Sequence, residues 1–194
     1  MKTLRLAFLL PLVALLAACG INNVPTYEER AKAAWSQVEN QYQRRADLIP
    51  NLVETVKGFA EQEREVLTAV VEARAKASSV QLSPEMLSDP AAVERFQAAQ
   101  GELSGALSRL LVTVERYPDL KSNTNFLALQ TALEGTENRI GVARRDYIEA
   151  VRVYNTELKT IPGRWWASLL YGDPEPMANF ETTEQARTPP AVKF

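Results

Sequence analysis

The stretch FLALQTALEGTENRIGVARRDYIEAVRVYNTEL, residues 126–158, decides the fold class. An apolar or small residue recurs in it at alternating steps of three and four, which is the spacing of one face of an α-helix. Asn123 before the stretch supplies a helix cap, and Ile-Pro-Gly at residues 161–163 closes it. The residues of this stripe are Phe126, Leu129, Leu133, Thr136, Ile140, Ala143, Tyr147, Ala150, Tyr154 and Leu158.

A longer stripe near the start of the chain has the same period but contains a proline. Thr26 and Glu29 have the spacing of a capping box, so we expect the helix to begin there. Pro50 removes an amide donor and crowds the Ala46 carbonyl, which normally costs about 3 kcal/mol inside a helix. The stripe keeps its phase across Pro50, so the helix either kinks or breaks there, and we favour a break that gives four helices. The stripe consists of Trp35, Val38, Tyr42, Ala46, Ile49, Val53, Val56, Ala60, then Glu63 as its one polar member, Leu67 and Val70.

A third stripe lies between these two, beginning at Pro90 and stopped by Pro118. Residues 77–89 before it read as a connecting loop in which Ser83 and Asp89 each precede a proline, the pattern of a helix N-cap followed by proline at the first helical position. The stripe consists of Val93, Phe96, Gln100, Leu103, Leu107, Leu110, Val114 and Tyr117.

Since no stretch alternates like a strand, the predicted class is all-α: an antiparallel up-and-down bundle of three to four long helices. We expect the bundle over residues 27–171, with one or two helical turns at residues 164–171. Residues 19–26 are predicted to form a tether, and residues 172–194 an irregular, mobile, proline-rich tail.

Composition excludes several classes of function. The chain has 194 residues, 46% hydrophobic and 24% charged, with a net charge of -2, no histidine and one cysteine. This inventory removes histidine-based triads, imidazole metal sites and cysteine-cluster zinc sites. The acidic balance makes nucleic acid an unsuitable partner. The di-iron sites of helical bundles also require histidines, so neither a metal nor another cofactor is expected.

The first eighteen residues have the pattern of a secretory leader. Lys2 and Arg5 precede an apolar run over residues 6–18, which as a helix is only about 20 Å long against roughly 30 Å of hydrocarbon. The run ends in Leu-Ala-Ala-Cys, which resembles the bacterial lipobox and implies cleavage before Cys19 and acylation of its sulfur. Gly20, rather than aspartate, follows Cys19, which favours the outer membrane in an organism that has two.

Several blocks of the sequence resemble the LemA family of bacterial envelope proteins. They are AWSQV at 34–38, RRADLIPNLV at 44–53, YPDLK at 117–121, ENRI at 137–140, ARRDY at 143–147 and YN at 154–155. The likeness covers residues 27–180 and implies a membrane-attached helical bundle whose molecular activity is not established. Family members often carry a transmembrane helix where this chain has a lipobox.

Charged residues beside the stripes are the candidate contact sites. Arg44 and Arg45 lie near Pro50, and Glu137, Arg144 and Arg145 flank the last stripe. The simplest expectation is ion pairs between helices, since charges next to such stripes usually fix the helix register. The alternative is a contact for an anion or a partner protein at Arg44, Arg45, Arg144 and Arg145.

An apolar cluster follows the last stripe, formed by Trp165, Trp166, Leu169, Leu170 and Tyr171. We expect it to cap the open end of the bundle, because tryptophan surface is costly to expose. The alternative is an interfacial contact with lipid or with a partner.

These features lead to three hypotheses of function. The first is a noncatalytic, lipid-anchored scaffold or adaptor on the cell membrane or outer membrane, facing the periplasm or the exterior and working through an envelope protein partner, with a homo-oligomer also compatible. The second is a module that binds an anionic or amphiphilic ligand between its helices. The third is a hydrolase that uses carboxylates alone, for which a simple bundle offers no obvious cleft.

Overall fold

The computed structural model describes residues 20–180, and within them the chain is helical without any strand, which confirms the all-α class. The predicted leader, Cys19 and residues 181–194 lie outside the described residues. The α-helices are α1 (Asn23–Lys57), α2 (Arg64–Ser79), α3 (Pro90–Val114), α4 (Pro118–Lys121), α5 (Thr124–Lys159) and α6 (Gly163–Leu170), with a short 3-10 helix at Pro84–Ser88 before α3.

Of the four predicted caps, two form through their side chains. The Asp89 side chain accepts a hydrogen bond from Ala91 N at 2.9 Å, and Asn123 accepts from Phe126 N at 3.1 Å, each at the start of a helix. Ser83 precedes the short 3-10 helix but makes no side-chain capping bond to it. The capping box at Thr26 is wrong, because α1 already begins at Asn23. Val24 is fully buried, so core packing extends the helix upstream and also shortens the predicted tether to residues 20–22.

The break predicted at Pro50 is wrong as well, because α1 continues through it and ends at Lys57. Residues 58–63 separate α1 from α2 instead. The amide missing at Pro50 leaves the Ala46 carbonyl without its usual helical donor. Arg74 on α2 replaces that donor, since its Nε lies 2.8 Å from the Ala46 oxygen. A neighbouring helix thus satisfies the carbonyl that Pro50 leaves free, and the helix can continue.

Contacts between neighbouring helices show that the two helices of each pair run in opposite directions. On α1 and α5, Asn23 lies by Glu157, and Arg45 by Glu137. On α2 and α3, Lys76 lies by Glu102 near one end, and Glu63, just before α2, contacts Arg116 just after α3. Both pairs of helices are therefore antiparallel neighbours.

The buried apolar residues form two clusters at opposite ends of α1. The aromatic cluster contains Trp35, Tyr42, Phe96, Tyr147, Tyr154 and Phe180 together with Val24, Leu82, Leu87 and Ala167. The aliphatic cluster contains mainly leucine, valine and alanine, among them Ile49, Leu52, Val70, Leu103, Leu110 and Leu133, with Phe126 as its buried aromatic ring.

The chain beyond α6 is packed against the body rather than mobile as far as it is described. Residues 172–180 form no helix, but Met177 and Phe180 are buried in the aromatic cluster. The Asn155 side chain binds both the amide and the carbonyl of Met177, at 2.9 and 2.8 Å. Tyr147 donates its hydroxyl to the Ala178 oxygen at 3.0 Å. Side chains of α5 therefore satisfy the backbone of this irregular segment.

Candidate functional site

A layer of polar side chains separates the two apolar clusters. Arg45 stands between Tyr42 and Ile49 of α1, and its side chain is only 1% exposed. One terminal nitrogen lies 2.5 Å from a Glu137 carboxylate oxygen and 2.9 Å from the Ser104 hydroxyl. The other donates to the Gln100 side-chain oxygen at 2.7 Å. We call Arg45, Gln100, Ser104 and Glu137 the polar layer.

The ion pair in the polar layer is asymmetric. The Arg45 guanidinium is buried, whereas the Glu137 side chain is 48% exposed. Arg45 Nε is buried and has no hydrogen-bond partner among the described residues. A buried charge is costly unless it is paired, so the buried Arg45 depends on Glu137 for its stability. Glu137 reaches water and depends less on Arg45. Because its members lie on three helices, the polar layer can fix the register of α1, α3 and α5.

The four predicted arginines do not converge on one site. Arg44 and Arg145 are exposed, and Arg45 is held by the polar layer. Arg144 places its guanidinium 4.5 Å from the centre of the Phe180 ring. Burial raises the pKa of the neighbouring Tyr42 hydroxyl, and the positive charges of Arg144 and Arg45 offset part of that rise. The interhelical ion pair expected between these groups is present as Arg45 with Glu137.

A cleft of about 480 Å³ opens between α1 and the segment that follows α2. None of the four arginines, all of which lie in the described part of the chain, lines it. Partial burial raises the pKa of Glu39, the one carboxylate in its wall. The polar residues of the wall are Glu39, Asn40, Tyr42, Gln43, Ser78, Gln81, Ser83 and Gln100.

The apolar cluster on α6 divides between the body and the surface. Tyr171 is partly buried and packs against the aromatic cluster, as expected of a cap, and Trp166 is half-buried. Ala167, which the sequence did not single out, is buried in the cluster itself. Trp165, Leu169 and Leu170 are 61%, 75% and 52% exposed, and so they take no part in such a cap. The expectation that the whole cluster caps the bundle is therefore too broad.

The start of the described chain lies against this same end. Tyr171 donates its hydroxyl to the Ile21 carbonyl at 2.9 Å, and Asn23 donates its side-chain amide to Glu157 at 3.1 Å. Sequence reasoning missed these contacts, and it also missed the burial of Met177 and Phe180. The proline-rich composition of the tail suggested that it was free. The spacing of Tyr147 and Tyr154 predicted a helix but gave no sign that their hydroxyls bind the irregular segment that follows α6.

Residues 20–180 contain neither a candidate membrane-spanning helix nor a candidate metal-binding cluster. No helix there is both long enough and apolar enough to cross a membrane. No group of three or more cysteine, aspartate or glutamate side chains is placed to hold a metal ion in that part of the chain.

Comparison with known proteins identifies the family. Magnetosome proteins MamQ 2 and MamQ 1 of Paramagnetospirillum magneticum are each 28% identical to this chain over 162 residues, which cover 75% of this chain and 60% of each relative. Magnetosome protein MamQ of Magnetospirillum gryphiswaldense is 26% identical over 164 residues, with coverage of 76% and 60%. The chain thus spans about 60% of the length of these relatives. The model of the LemA family matches residues 34–194, and the chain belongs to that family.

Proposed function

We propose that this chain is a lipid-anchored scaffold or adaptor of the cell envelope, without catalytic activity, whose body is an up-and-down helical bundle. In this proposal, Cys19 is acylated after removal of the leader, and the body faces the periplasm or the exterior. The bundle holds a partner protein at the membrane, and the contribution of the chain is position rather than chemistry.

The observation that carries this proposal is the attachment of residues 20–22 to the body. Tyr171 binds the Ile21 carbonyl, and the Asn23 amide nitrogen binds the Gly20 carbonyl at 3.0 Å. Gly20, the residue after Cys19, is therefore held at the start of α1, and Ile21 is held by Tyr171, which directly follows α6. Acyl chains on Cys19, each methylene contributing about 0.8 kcal/mol when buried, would keep the body directly at the lipid surface.

The interior supports a mechanical role. Its buried arginine binds Glu137, Gln100 and Ser104 of neighbouring helices and does not itself line the cleft. At 1.5 Å per residue, the 36 residues of α5 make a rod of about 54 Å. The names of the MamQ relatives refer to a cellular structure and to no reaction, which also favours a structural role.

Crosslinking in intact cells tests the proposal. A photoreactive residue replaces Val142, which is 46% exposed on α5, in the wild-type chain and in Cys19→Ser. We expect a reproducible crosslinked neighbour in the envelope fraction of the wild type and its loss in Cys19→Ser. No reproducible neighbour, or the same neighbour on a diffusing Cys19→Ser protein, contradicts the proposal.

The cleft favours a ligand-binding module as the second candidate. Its wall combines amides and hydroxyls around Glu39 with apolar side chains such as Val80 and Phe96, so it suits an organic cation better than the anion suggested by the arginine positions. A ligand bound only by the folded state raises the melting temperature. We expect choline, and not phosphate, to stabilise the chain through this cleft and Glu39→Gln to abolish the effect. Stabilisation by phosphate that survives Glu39→Gln would contradict this candidate.

A further inference from the structure

The short helix α6 presents large apolar side chains to solvent. Trp165 and Leu169 are one turn apart, and Ile161 precedes them with 64% of its surface exposed. We call Ile161, Trp165, Leu169 and Leu170 the interfacial face. Isolated exposed apolar residues are ordinary, but a contiguous group of this size marks a surface that something covers.

The body prevents this face from turning inward. Gly163 and Ala167 pack against the body, and both are buried. A Cβ atom at Gly163 would lie 2.6 Å from Glu157 Oε1 and closer still to the Glu157 carbonyl oxygen, so the helix approaches α5 as closely as glycine allows. The smallest residues of α6 thus face the body, whereas Trp165, Leu169 and Leu170 point away from it.

The chain continues to Cys19 from beside this helix. A Cβ atom at Gly20 would lie 3.7 Å from the ring of Pro162, which immediately precedes α6. One further residue reaches at most about 3.6 Å. Lys159 and Arg164 are exposed next to the interfacial face, where they can meet lipid phosphates. Because the interfacial face lies so close to the position of Cys19, acyl chains on Cys19 would bring this face into contact with lipid before it could meet a protein partner.

We propose that the interfacial face lies in the headgroup region of the bilayer that holds the acyl chains of Cys19. This inference rests on the proposed function and adds an orientation to it: the aromatic cluster is the membrane-proximal end. Tryptophan favours the boundary between headgroups and acyl chains, and an amphipathic helix lies in that plane. The lipid at Cys19 and the interfacial face then form two attachment points, which together prevent the body from tilting freely.

Quenching of tryptophan emission by brominated lipid tests the proposal. The full acylated chain is extracted from membranes and reconstituted into vesicles of phosphatidylethanolamine and phosphatidylglycerol, with and without bromine near the top of the acyl chains. We expect brominated lipid to quench the emission and Trp165→Phe to lose most of that quenching. Trp35 is fully buried, so it should contribute little. Trp166 is half-buried beside Trp165, so it is replaced by phenylalanine in every sample.

Two charge variants provide the matched comparison. Leu169→Glu and Val112→Glu introduce the same carboxylate at side chains that are 75% and 72% exposed, so neither should disturb the fold, which circular dichroism checks. Leu169→Glu should lose most of the quenching, and Val112→Glu should retain it. Quenching that is absent in the Trp166→Phe parent chain, or that persists in Trp165→Phe, overturns the proposal, as does a dimer that shields Trp165 from lipid.

The mass of the purified chain separates this proposal from the proposed function. An acylated chain whose Trp165 is not quenched overturns the membrane contact of α6 alone. A chain without acyl mass overturns the lipid anchor. Quenching by the same vesicles added from outside then supports the interfacial face independently, and its absence overturns that face as well.

Discussion

The two apolar clusters share α1, α3 and α5 but differ in what they hold in place. In the aromatic cluster, polar atoms on the rings bind irregular segments: Trp35 Nε1 donates to the Leu82 carbonyl at 2.9 Å, and Tyr147 to Ala178. The aliphatic cluster packs helix against helix through branched side chains. Both ends hold a connecting segment, since Ala60 between α1 and α2 is buried in the aliphatic cluster and Tyr117 beside that cluster donates its hydroxyl to Glu63. Only the aromatic end also holds residues 172–180 and the start of the described chain.

The largest expected effect comes from truncating the centre of the aromatic cluster. The Trp35 ring lies 5.2 Å from Phe96, 5.5 Å from Tyr147 and 6.0 Å from Phe180 between ring centres. Trp35→Ala should lower the free energy of unfolding by about 4 kcal/mol, and Leu110→Ala in the aliphatic cluster by about 3 kcal/mol. Denaturant titration measures both losses.

Hydrogen exchange distinguishes the two truncations more sharply. In Trp35→Ala, the amides of residues 172–180 should lose protection beyond the global loss, because Phe180 loses one of its two ring contacts and keeps only that with Tyr147. In Leu110→Ala, their protection should fall only with global stability. An equal local loss in both variants would mean that the clusters are not separate.

The polar layer between the clusters provides the next test. Glu137→Ala leaves the buried Arg45 charge without its carboxylate and should cost about 3 kcal/mol. Arg45→Met leaves the half-exposed Glu137 free to reach water and should cost less, about 1 kcal/mol for the lost hydrogen bonds. Thermal and denaturant unfolding measure both changes. A larger cost for Arg45→Met than for Glu137→Ala would contradict the asymmetry of the pair.

A smaller effect is expected where α1 passes Pro50. Arg74→Met should cost about 1 to 2 kcal/mol, because the Ala46 carbonyl then loses its donor. In a Pro50→Ala background, the restored helical amide can bind that carbonyl, so the cost of Arg74→Met should shrink. A double-mutant cycle measures this coupling, and additive costs would show that Arg74 does not compensate for Pro50.

The last expected effect appears only at alkaline pH, as a dependence of stability on pH. Burial raises the pKa of Tyr154 in the aromatic cluster from 10.0 to about 12. Above pH 10, the unfolded chain releases this proton while the folded chain retains it, so stability present below pH 10 is lost as the pH rises to about 12.

Tyr154→Phe should reduce the slope of unfolding free energy against pH between pH 10 and about 12. Phe126→Leu in the aliphatic cluster carries no titrating group and serves as the control with an unchanged slope. Chemical unfolding at several pH values measures both slopes. The same slope in Tyr154→Phe as in the wild type would contradict the assignment.

The helices themselves were predictable because burial imposes a period on their sequences. Ile140, Tyr147 and Tyr154 recur at the spacing that an α-helical seam requires, and all three are buried. The caps at Asp89 and Asn123 were also predictable, because their chemistry is local. Pro50 misled because its cost depends on Arg74, which is distant in sequence and adjacent only in the fold.

The candidate sites were less predictable for the same physical reason. Gln100 stood at a seam position as a polar exception, and this was a readable sign of the polar layer. Arg45 lies one position from the seam residue Ala46, and only packing decides that it is buried while Arg44 is exposed. Likewise, the sequence gives no reason to distinguish Trp165 from Trp166, but the packing of α6 against the body buries Trp166 more than Trp165.

A measurement of which end of the molecule lies nearer the bilayer is the most direct test of the claim that the aromatic cluster is the membrane-proximal end. A fluorescent donor is attached through Ser168→Cys on α6 or through Asp119→Cys on α4, two exposed positions at opposite ends of the rod of about 54 Å formed by α5. The acylated chain is reconstituted into vesicles with acceptor-labelled lipid, and energy transfer is measured. We predict strong transfer from position 168 and weak transfer from position 119; equal transfer from both, or stronger transfer from position 119, would contradict the account.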